Sequence, residues 1–375
     1  MNPETLHTIK QCLPGWVKTL GRRYCDMTAY GQYERSLRNP YSKEPDYWQA
    51  SDSPCLLGIV KEYMHYHKVY IAACRELGVS YKLLDLGCTG WIERFHASGC
   101  DAFLVWPSSS LSVWKDLYDD RLRILEQDMG KLVYPTCGET WIYDNKRRTR
   151  DWLDAHELPQ ARTWVFYDRQ EAEQFVRSAA LPLVIKTNSG ASHSGVWILR
   201  RREDAMRAIR EAFSRGLLAS GRDWRDREWG VIYLQEYVAD AREWRMMRIG
   251  KSYFGYRKEK VGDFHSGSGS WSWDDPPKVL LNLLHDVTEA HGFSSMDIDF
   301  FELPDGRYLI NELQTVFGAT TPAEMLRVNG RFGRYVREET TGAWIFQEGD
   351  YSRNMCANAR VDYVVNHLLK KKGGT

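Results

Sequence analysis

The sequence predicts a protein of mixed α/β and α+β class, in which a small α/β unit precedes a larger region of strand pairs and helices. Strand and helix patterns alternate between residues 57 and 107, which is typical of an α/β unit. Further along the chain, apolar strands flank a Gly/Ser-rich loop and a Pro-Asp-Gly turn, and both patterns indicate neighbouring strands joined by a loop.

The composition excludes several broad classes of protein. The 375 residues suffice for two or three domains, and 43% hydrophobic residues can build a buried core. A formal net charge of +1 argues against a generally basic nucleic-acid-binding protein. The start lacks the apolar run of a signal peptide, and no apolar stretch reaches about 18 residues, so we expect a cytoplasmic protein without a membrane span.

The first part of the chain divides into an extension and an α/β domain. Residues 1–55 combine weak periodicity with several turn signals, and we expect short helices there. Residues 56–140 contain a helical pattern, then the strand YKLLDLG, a helix near WIERFHAS and the strand DAFLVWP. Residues 141–375 form a separate region, in which the candidate functional residues lie.

The stretch LLDLGCTGW at residues 83–91 looks like the start of an S-adenosylmethionine-dependent methyltransferase. That cofactor loop needs small residues at the second, fourth and sixth positions after its acid, so that the backbone can approach the cofactor. Counted from Asp85, these positions hold Gly87, Thr89 and Trp91. Because a tryptophan would fill the cofactor space, the pattern argues against a methyltransferase, which is kept as an alternative.

The segment LPLVIKTNSGASHSGVWIL at residues 181–199 predicts a strand, a Gly/Ser-rich loop and a second strand. No helix follows the loop, which excludes a Walker P-loop. Two interpretations stay open. The loop is either a phosphate cover, with Lys186 supplying charge and the backbone supplying N–H groups, or an ordinary hairpin loop.

The segment FELPDGRYLI at residues 301–310 predicts a hairpin. With the turn centred on residues 305–306, Asp299 faces Glu312 and Asp297 faces Gln314 on one side of the sheet. Three unpaired carboxylates so close together would repel each other, and one or two magnesium ions would relieve this repulsion. The alternative is an exposed acidic strand face.

Together these segments resemble, in their order and separation, the ATP-grasp superfamily of carboxylate–amine ligases, which hold ATP between two α+β lobes. The resemblance covers roughly residues 80 to 345. The segments that carry it are YDNKRRTRDWL, VIKTNSGASHSGV, YLQEYVADAREWRMMRIG, SYFGYRKEK, FHSGSGSW and MDIDFFELPDGRYLINELQTVFG.

The resemblance implies roles for individual residues. Lys146 would reach the α-phosphate, Glu243 would bind the ribose, and the catalytic residues would be Arg257, over the transferred phosphate, and Lys186. The implied nucleotide-binding residues are Lys146, Lys186, Ser189, Gly190, Ser192, Gln235, Glu236, Tyr237, Val238 and Glu243. The implied metal ligands are Asp299, Glu312 and Gln314.

The resemblance also implies a fold and shows two departures from the family pattern. We expect a small Rossmann-like pre-ATP-grasp domain followed by a two-lobed ATP-grasp domain, with lobes at about 141–235 and 236–375. The family usually carries Glu-x-Asn where this chain has Glu-Leu-Gln at residues 312–314. Asp297 stands where many members have a small or apolar residue.

The implied activity is an ATP-dependent ligase that forms an amide through an acyl phosphate, with ATP and Mg²⁺ as cofactors. The chain most resembles the peptide- and polysaccharide-tailoring ligases, so the partners are small-molecule, glycan or peptide carboxylates and amines, without nucleic acid. The assembly state is left open, with a homodimer among the options. His193 and His265 are either substrate or phosphate contacts or solvent-exposed loop residues. A kinase of the same fold and a non-catalytic binding module are further alternatives.

Overall fold

The structure is a computed structural model that describes residues 5, 9, 13–14, 17, 44–190, 194–220, 222–263, 270–272, 274–319 and 321–373. Most of the predicted helical extension at residues 1–55 therefore lies outside the described residues, as do Ser192, His193 and His265. Within the described part of the chain, no helix combines the length and apolar character needed to cross a membrane.

The chain forms two compact units. The first comprises residues Met1–Thr140, Val316–Thr321 and Asp350–Thr375, and the second comprises Trp141–Thr315 and Pro322–Gly349. The helices are α1 Lys68–Leu77, α2 Trp91–His96, α3 Ser112–Arg123, α4 Cys137–Ile142, α5 Lys146–Ala155, α6 Arg169–Ser178, α7 Arg202–Ala212, α8 Lys278–Ala290, α9 Ala357–Tyr363 and α10 Leu369–Gly373.

The first unit contains a five-stranded, mostly parallel sheet in the order β1-β3-β2-β4-β5. Its strands are β1 Tyr47–Trp48, β2 Leu56–Val60, β3 Ser80–Leu84, β4 Ala102–Leu104 and β5 Val133–Tyr134. The helices α1, α2 and α3 connect successive parallel strands, so the predicted α/β unit is confirmed. Trp91 is buried in the core of this unit.

The loop after β3 leaves no room beside its glycine. A Cβ atom on Gly87 would overlap the Tyr63 hydroxyl group, and the Tyr63 ring stacks on Trp114 with ring centroids 4.5 Å apart. The space that a methyltransferase would keep open next to this backbone is thus filled by aromatic side chains. The close approach of Tyr63 to Gly87 and the buried Trp91 both argue against a methyltransferase.

Residues 316–321 and 350–375, expected in the second lobe, pack instead with the first unit. Arg360 is the centre of this packing and is fully buried. Its guanidinium lies 4.6 Å from the ring centroid of Phe317 and 5.8 Å from that of Trp106. It donates hydrogen bonds to the carbonyl oxygens of Phe317, at 2.9 Å, and Met355, at 3.2 Å. One side chain therefore ties both segments into the unit.

Arg360→Ala should destabilise the first unit by about 3–4 kcal/mol, because it opens a cavity and leaves two carbonyl groups without donors. Urea unfolding measures the loss. The matched control is Arg353→Ala, whose exposed side chain pairs with Glu76 at 3.1 Å and should contribute less than about 1 kcal/mol. Equal losses for the two variants would contradict the central role of Arg360.

The second unit contains two antiparallel sheets. The smaller has the order β6-β9-β7-β8, with strands β6 Thr163–Phe166, β7 Leu183–Lys186, β8 Val196–Leu199 and β9 Ile232–Glu236. Apolar residues of α6 and α7 pack with one face of this sheet in a single core. Because side chains alternate along a strand, Lys186 and Gln235 lie on the opposite face.

The larger sheet has eight strands. Its main order is β14-β13-β10-β11-β16-β15, with β12 paired to β11 and β17 paired to β16. The strands are β10 Arg242–Ile249, β11 Ser252–Lys258, β12 Trp271–Ser272, β13 Ser295–Glu302, β14 Tyr308–Gln314, β15 Arg327–Val328, β16 Arg331–Arg337 and β17 Trp344–Glu348. Apolar side chains of α8 and of one sheet face form the core of this part.

The turn between β13 and β14 differs from the predicted two-residue turn. The Leu303 N–H donates to the Arg307 carbonyl at 2.8 Å, so three residues form the loop. Gly306 closes it with a φ of 83°, a left-handed conformation that glycine adopts without steric cost. The larger loop shifts the pairing by one residue, and Glu302 pairs with Tyr308.

A β-bulge restores the predicted register a few residues later. The pairing shifts between Asp299 and Phe300, and Asn311 is the extra residue on β14. Asp299 consequently pairs with Glu312, and Asp297 pairs with Gln314, as predicted. The turn prediction was wrong by one residue and the bulge was not foreseen, but the two shifts cancel at the acidic pairs.

Candidate functional site

One face of the larger sheet carries a cluster of charged residues. Trp244, Met246, Ile298 and Phe300 lie on the other face, in the core beside α8. The cross-strand pairs then place alternate residues of four strands on the charged face. These residues are Glu243, Arg245, Tyr256, Lys258, Asp297, Asp299, Glu312 and Gln314.

The carboxylates of this face have basic partners, contrary to the expectation that they would be unpaired. Asp299 contacts the Lys258 ammonium group and lies 3.5 Å from Arg245 Nε. Asp297 contacts Arg245, and Glu243 accepts a hydrogen bond from Lys258 at 2.6 Å. The predicted repulsion is offset because β10 and β11 contribute cations to the same face.

Burial and pairing set the ionisation of the two aspartates differently. Burial raises the pKa of Asp297 to about 7, although Arg245 opposes the increase, and repulsion from Asp299 adds to it. Burial would also raise the pKa of Asp299, but Lys258 and Arg245 outweigh it and hold this pKa below its usual value. Asp299 is therefore the more readily ionised of the two aspartates.

Two lysines from different elements reach this face. Lys146 begins α5, and Asn145 caps the first turn of this helix. The Lys146 ammonium group donates a hydrogen bond to the Gly190 carbonyl at 3.1 Å and lies 3.6 Å from the Glu312 carboxylate. Lys186 ends β7 and donates to the Asn311 side-chain oxygen at 2.9 Å. Burial lowers the pKa of Lys186 to about 8, although Glu312 opposes the decrease.

The formal charges of this cluster cancel. Four acids face four bases, and the cluster comprises Glu243, Asp297, Asp299 and Glu312 with Lys146, Lys186, Arg245 and Lys258. An adjacent cleft is lined by Lys146, Gln235 and Glu312 among others. Among the residues that the structure describes, no three His, Cys, Asp or Glu side chains form a metal site by themselves.

The residues expected to bind adenine and ribose lie at the end of β9 and the start of β10. Gln235 is buried and donates to Thr163 Oγ1 at 2.9 Å, and Glu236 accepts from Arg162 Nε at 2.6 Å. Tyr237 and Val238 follow the strand. Glu243 is 2% exposed and bound to Lys258, so its carboxylate is engaged inside the protein rather than open to a ribose.

Arg257 does not lie on the charged face, and its position over the transferred phosphate stays a prediction. The register pairs it with Trp244 of the core face, whereas the next residue, Lys258, pairs with Glu243. Its guanidinium binds Glu259 at 3.0 Å and Asp274 at 2.9 Å. Because one residue along a strand changes the face on which a side chain lies, Arg257 and Lys258 lie on opposite faces of the sheet.

Sequence reasoning missed Arg245, Lys258 and Asn311. For Arg245 a signal existed, since it lies two residues after Glu243 and a strand puts such residues on one face. Lys258 required the β10–β11 register, and Asn311 required the bulge. Gln314, expected to be a metal ligand, accepts a hydrogen bond from Arg245 at 3.1 Å.

The loop after β7 is tied down at its base. The Thr187 N–H donates to the Gly195 carbonyl at 2.8 Å, and a Cβ atom at Gly195 would overlap Thr187 Oγ1, so this close approach requires glycine. Gly190 donates its N–H to Asp144 at 3.1 Å, and Ser189 lies beside it. Of the three loop residues predicted to bind the nucleotide, Ser189 and Gly190 are in the described part of the chain and Ser192 is not.

Comparisons with known proteins fit this geometry. Residues 144–223 match the model of the phosphoribosylglycinamide synthetase ATP-grasp (A) domain. The chain contains an ATP-grasp domain. It is 32% identical over 78 residues to the human trifunctional purine biosynthetic protein adenosine-3, covering 20% of this chain and 8% of that protein. Against phosphoribosylamine–glycine ligase of Escherichia coli O6:H1, identity is 31% over 81 residues, 22% of this chain and 19% of the relative.

Solved structures show the same ATP-grasp fold. An ADP complex of N5-carboxyaminoimidazole ribonucleotide synthetase has a TM-score of 0.51 at 12% identity, covering 75% of this chain and 73% of that chain. The predicted fold is thus confirmed, and the match of residues 144–223 to the ATP-grasp domain model supports the predicted superfamily. The chain spans less than a fifth of the length of each sequence relative named above, so their activities are not transferred whole.

Removing Asp299 and removing Glu312 should affect stability differently. Asp299→Asn should cost about 3 kcal/mol, because it deprives the buried Lys258 of one of its two carboxylates. Glu312→Gln should change stability by less than about 1 kcal/mol, since its side chain is 23% exposed and lies 3.6 Å from Lys146. Urea unfolding of both variants measures this, and equal small changes would show that Lys258 does not need Asp299.

Proposed function

We propose that this protein is an ATP-dependent carboxylate–amine ligase that forms an amide through an acyl phosphate. The observation that carries the proposal is the convergence of Lys146 and Lys186 on the strand that bears Glu312, beside Asp299. Two cations facing a pair of carboxylates suit a polyphosphate with its metal ion. The match of residues 144–223 to an ATP-grasp domain model supports the same assignment.

The nucleotide would be held by groups of both sheets. Lys146 and Lys186 would neutralise phosphate oxygens, and the backbone of residues 235–238 would bind the adenine edge by hydrogen bonds. Because Glu243 is buried and paired with Lys258, it would hold Lys258, and its predicted contact with the ribose stays an expectation. Lys258 and Arg245 are the basic side chains that the larger sheet itself places on its charged face, where the transferred phosphate would lie.

The donor set fits magnesium. Protein sites for Mg²⁺ commonly use one or two carboxylates and complete the coordination with substrate phosphates and water. Asp299 and Glu312 face each other on neighbouring strands, and Glu312 is only loosely paired at 3.6 Å from Lys146. These two carboxylates would hold the ion, which when bound would neutralise phosphate charge.

The proposed reaction needs positioning and charge stabilisation, and no side-chain nucleophile. A substrate carboxylate oxygen attacks the γ-phosphorus atom, the bond to the bridging oxygen breaks, and ADP leaves. An amine then attacks the acyl carbon, phosphate departs, and the nitrogen loses a proton. Lys146 and Lys186 would stabilise the negative charge that develops during phosphoryl transfer.

The sequence resemblance implies a peptide- or polysaccharide-tailoring ligase. The carboxylate and the amine would then belong to substrates of such ligases. Pooled amino acids and uronic acids, with hydroxylamine as a substitute acceptor, give a direct test. We expect magnesium-dependent ADP release together with a hydroxamate of one carboxylate. ADP release with a phosphorylated hydroxyl compound and no hydroxamate would establish a kinase instead.

Lys186→Ala should weaken ATP binding ten- to a hundredfold, the effect of losing a charge-assisted contact of about 1.5–3 kcal/mol. Isothermal titration calorimetry measures the change. The control is Lys251→Ala, an exposed lysine paired with Glu339, which should bind ATP as the wild type does. Unchanged affinity in folded Lys186→Ala would remove this lysine from the nucleotide site.

ATP binding should also take up protons at alkaline pH through Lys186. Its pKa of about 8 in the free protein leaves roughly half of these side chains uncharged at pH 8, and a bound phosphate favours the charged form. Calorimetry in two buffers of different ionisation enthalpy should therefore show about half a proton more uptake for the wild type than for Lys186→Arg. Equal uptake in the two proteins would contradict the assignment.

A further inference from the structure

A buried carboxylate outside the charged face holds the start of the loop that follows β7. Glu228 Oε1 accepts hydrogen bonds from the backbone N–H groups of Asn188, at 2.5 Å, and Ser189, at 3.4 Å. Its second oxygen lies 3.7 Å from the Arg147 guanidinium, and its side chain is 20% exposed. The carboxylate thus receives two backbone donors and lies near one cation.

The backbone of Glu228 is itself fixed. Its N–H donates to the Leu217 carbonyl and its carbonyl accepts from the Leu217 N–H, both at 2.9 Å. The side chain therefore projects from a rigid two-bond bridge rather than from a free loop. A carboxylate whose own backbone is fixed by two hydrogen bonds is suited to anchoring another segment.

The anchored loop in turn fixes the start of α5. The Asn188 carbonyl accepts from the Lys146 N–H at 3.1 Å, and its side-chain oxygen accepts from the Arg147 N–H at 3.1 Å. Lys146 closes the arrangement by donating from its ammonium group to Gly190 at 3.1 Å. Contacts therefore run without a gap from Glu228 through Asn188 to the lysine proposed to bind phosphate.

We propose that Glu228 is a positioning residue for the nucleotide, which fixes the backbone of residues 188–190 and, through it, the ammonium group of Lys146. The inference rests on the proposed ATP-binding function of Lys146. Two backbone donors in a row also form the kind of site that binds phosphate oxygens. If the Glu228 carboxylate merely filled such a site, it would compete with ATP, and its removal would strengthen ATP binding. If it positions the loop, its removal should weaken ATP binding.

The test compares Glu228→Ala with Asp223→Ala. Asp223 belongs to the same segment, but its carboxylate binds Arg225 at 2.8 Å and makes no hydrogen bond or ion pair with the described residues of the loop after β7. We expect Glu228→Ala to raise the Kd for MgATP at least about tenfold and the apparent KM for ATP similarly, with kcat at saturating ATP nearly unchanged. Asp223→Ala should match the wild type in all three values.

Hydrogen exchange gives a readout that does not depend on ATP. In the nucleotide-free protein, the amides of Asn188 and Ser189 should exchange at least about tenfold faster in Glu228→Ala than in the wild type. If that variant does not fold, Glu228→Gln keeps an acceptor oxygen without the charge and should show smaller changes in the same direction. Faster exchange confined to these amides supports the anchor.

The outcomes separate this inference from the proposed function. If the wild type binds MgATP and Glu228→Ala binds it equally or more tightly, the positioning role is overturned while the nucleotide site stands. If the wild type does not bind MgATP, the proposed function fails, and the positioning role fails with it even if hydrogen exchange still shows an anchored loop. Unchanged exchange at both amides overturns the anchor in every case.

Discussion

The balance of buried charge on the larger sheet is the constraint on which the candidate site depends. Asp297 and Asp299 are almost inaccessible to water, and a carboxylate can remain ionised there only beside a cation. Arg245 provides one of those cations from β10, the strand next to β13, and Lys258 provides the other from β11, one strand further along the sheet. The whole cluster of four acids and four bases has no net formal charge before any ligand arrives, and Lys146, Lys186 and Glu312 lie at its edge.

This neutrality changes the role of the metal. An acidic cluster that needed Mg²⁺ to fold would lose stability on chelation, whereas a cluster neutralised by its own cations does not require the ion. In the proposed site, Asp299 and Glu312 would then share an ion with the nucleotide phosphates.

The loop after β7 shows how a glycine-rich segment can be held without regular secondary structure. Its base is closed by Thr187 and Gly195, and its first residues are held by Asp144, Glu228 and the start of α5. Backbone N–H and carbonyl groups in such a segment have no strand partners, so side chains and a helix terminus must satisfy them. The same contacts bring Lys146 close to Gly190.

The sequence by itself determined the α/β unit and the hairpin of β13 and β14, whereas the predicted pairing of Asp299 with Glu312 is reached only through an unforeseen bulge that compensates for the larger turn. These features depend on short-range periodicity and spacing, because alternation along a strand decides which residues share a face. Tertiary structure decided the rest. Pairing of β10 with β11 and β13 selected Lys258 rather than Arg257, since a register between separate strands is not contained in the spacing within either one. The packing around Arg360 likewise assigned residues 350–375 to the first unit, because burial of that side chain joins segments far apart in the chain.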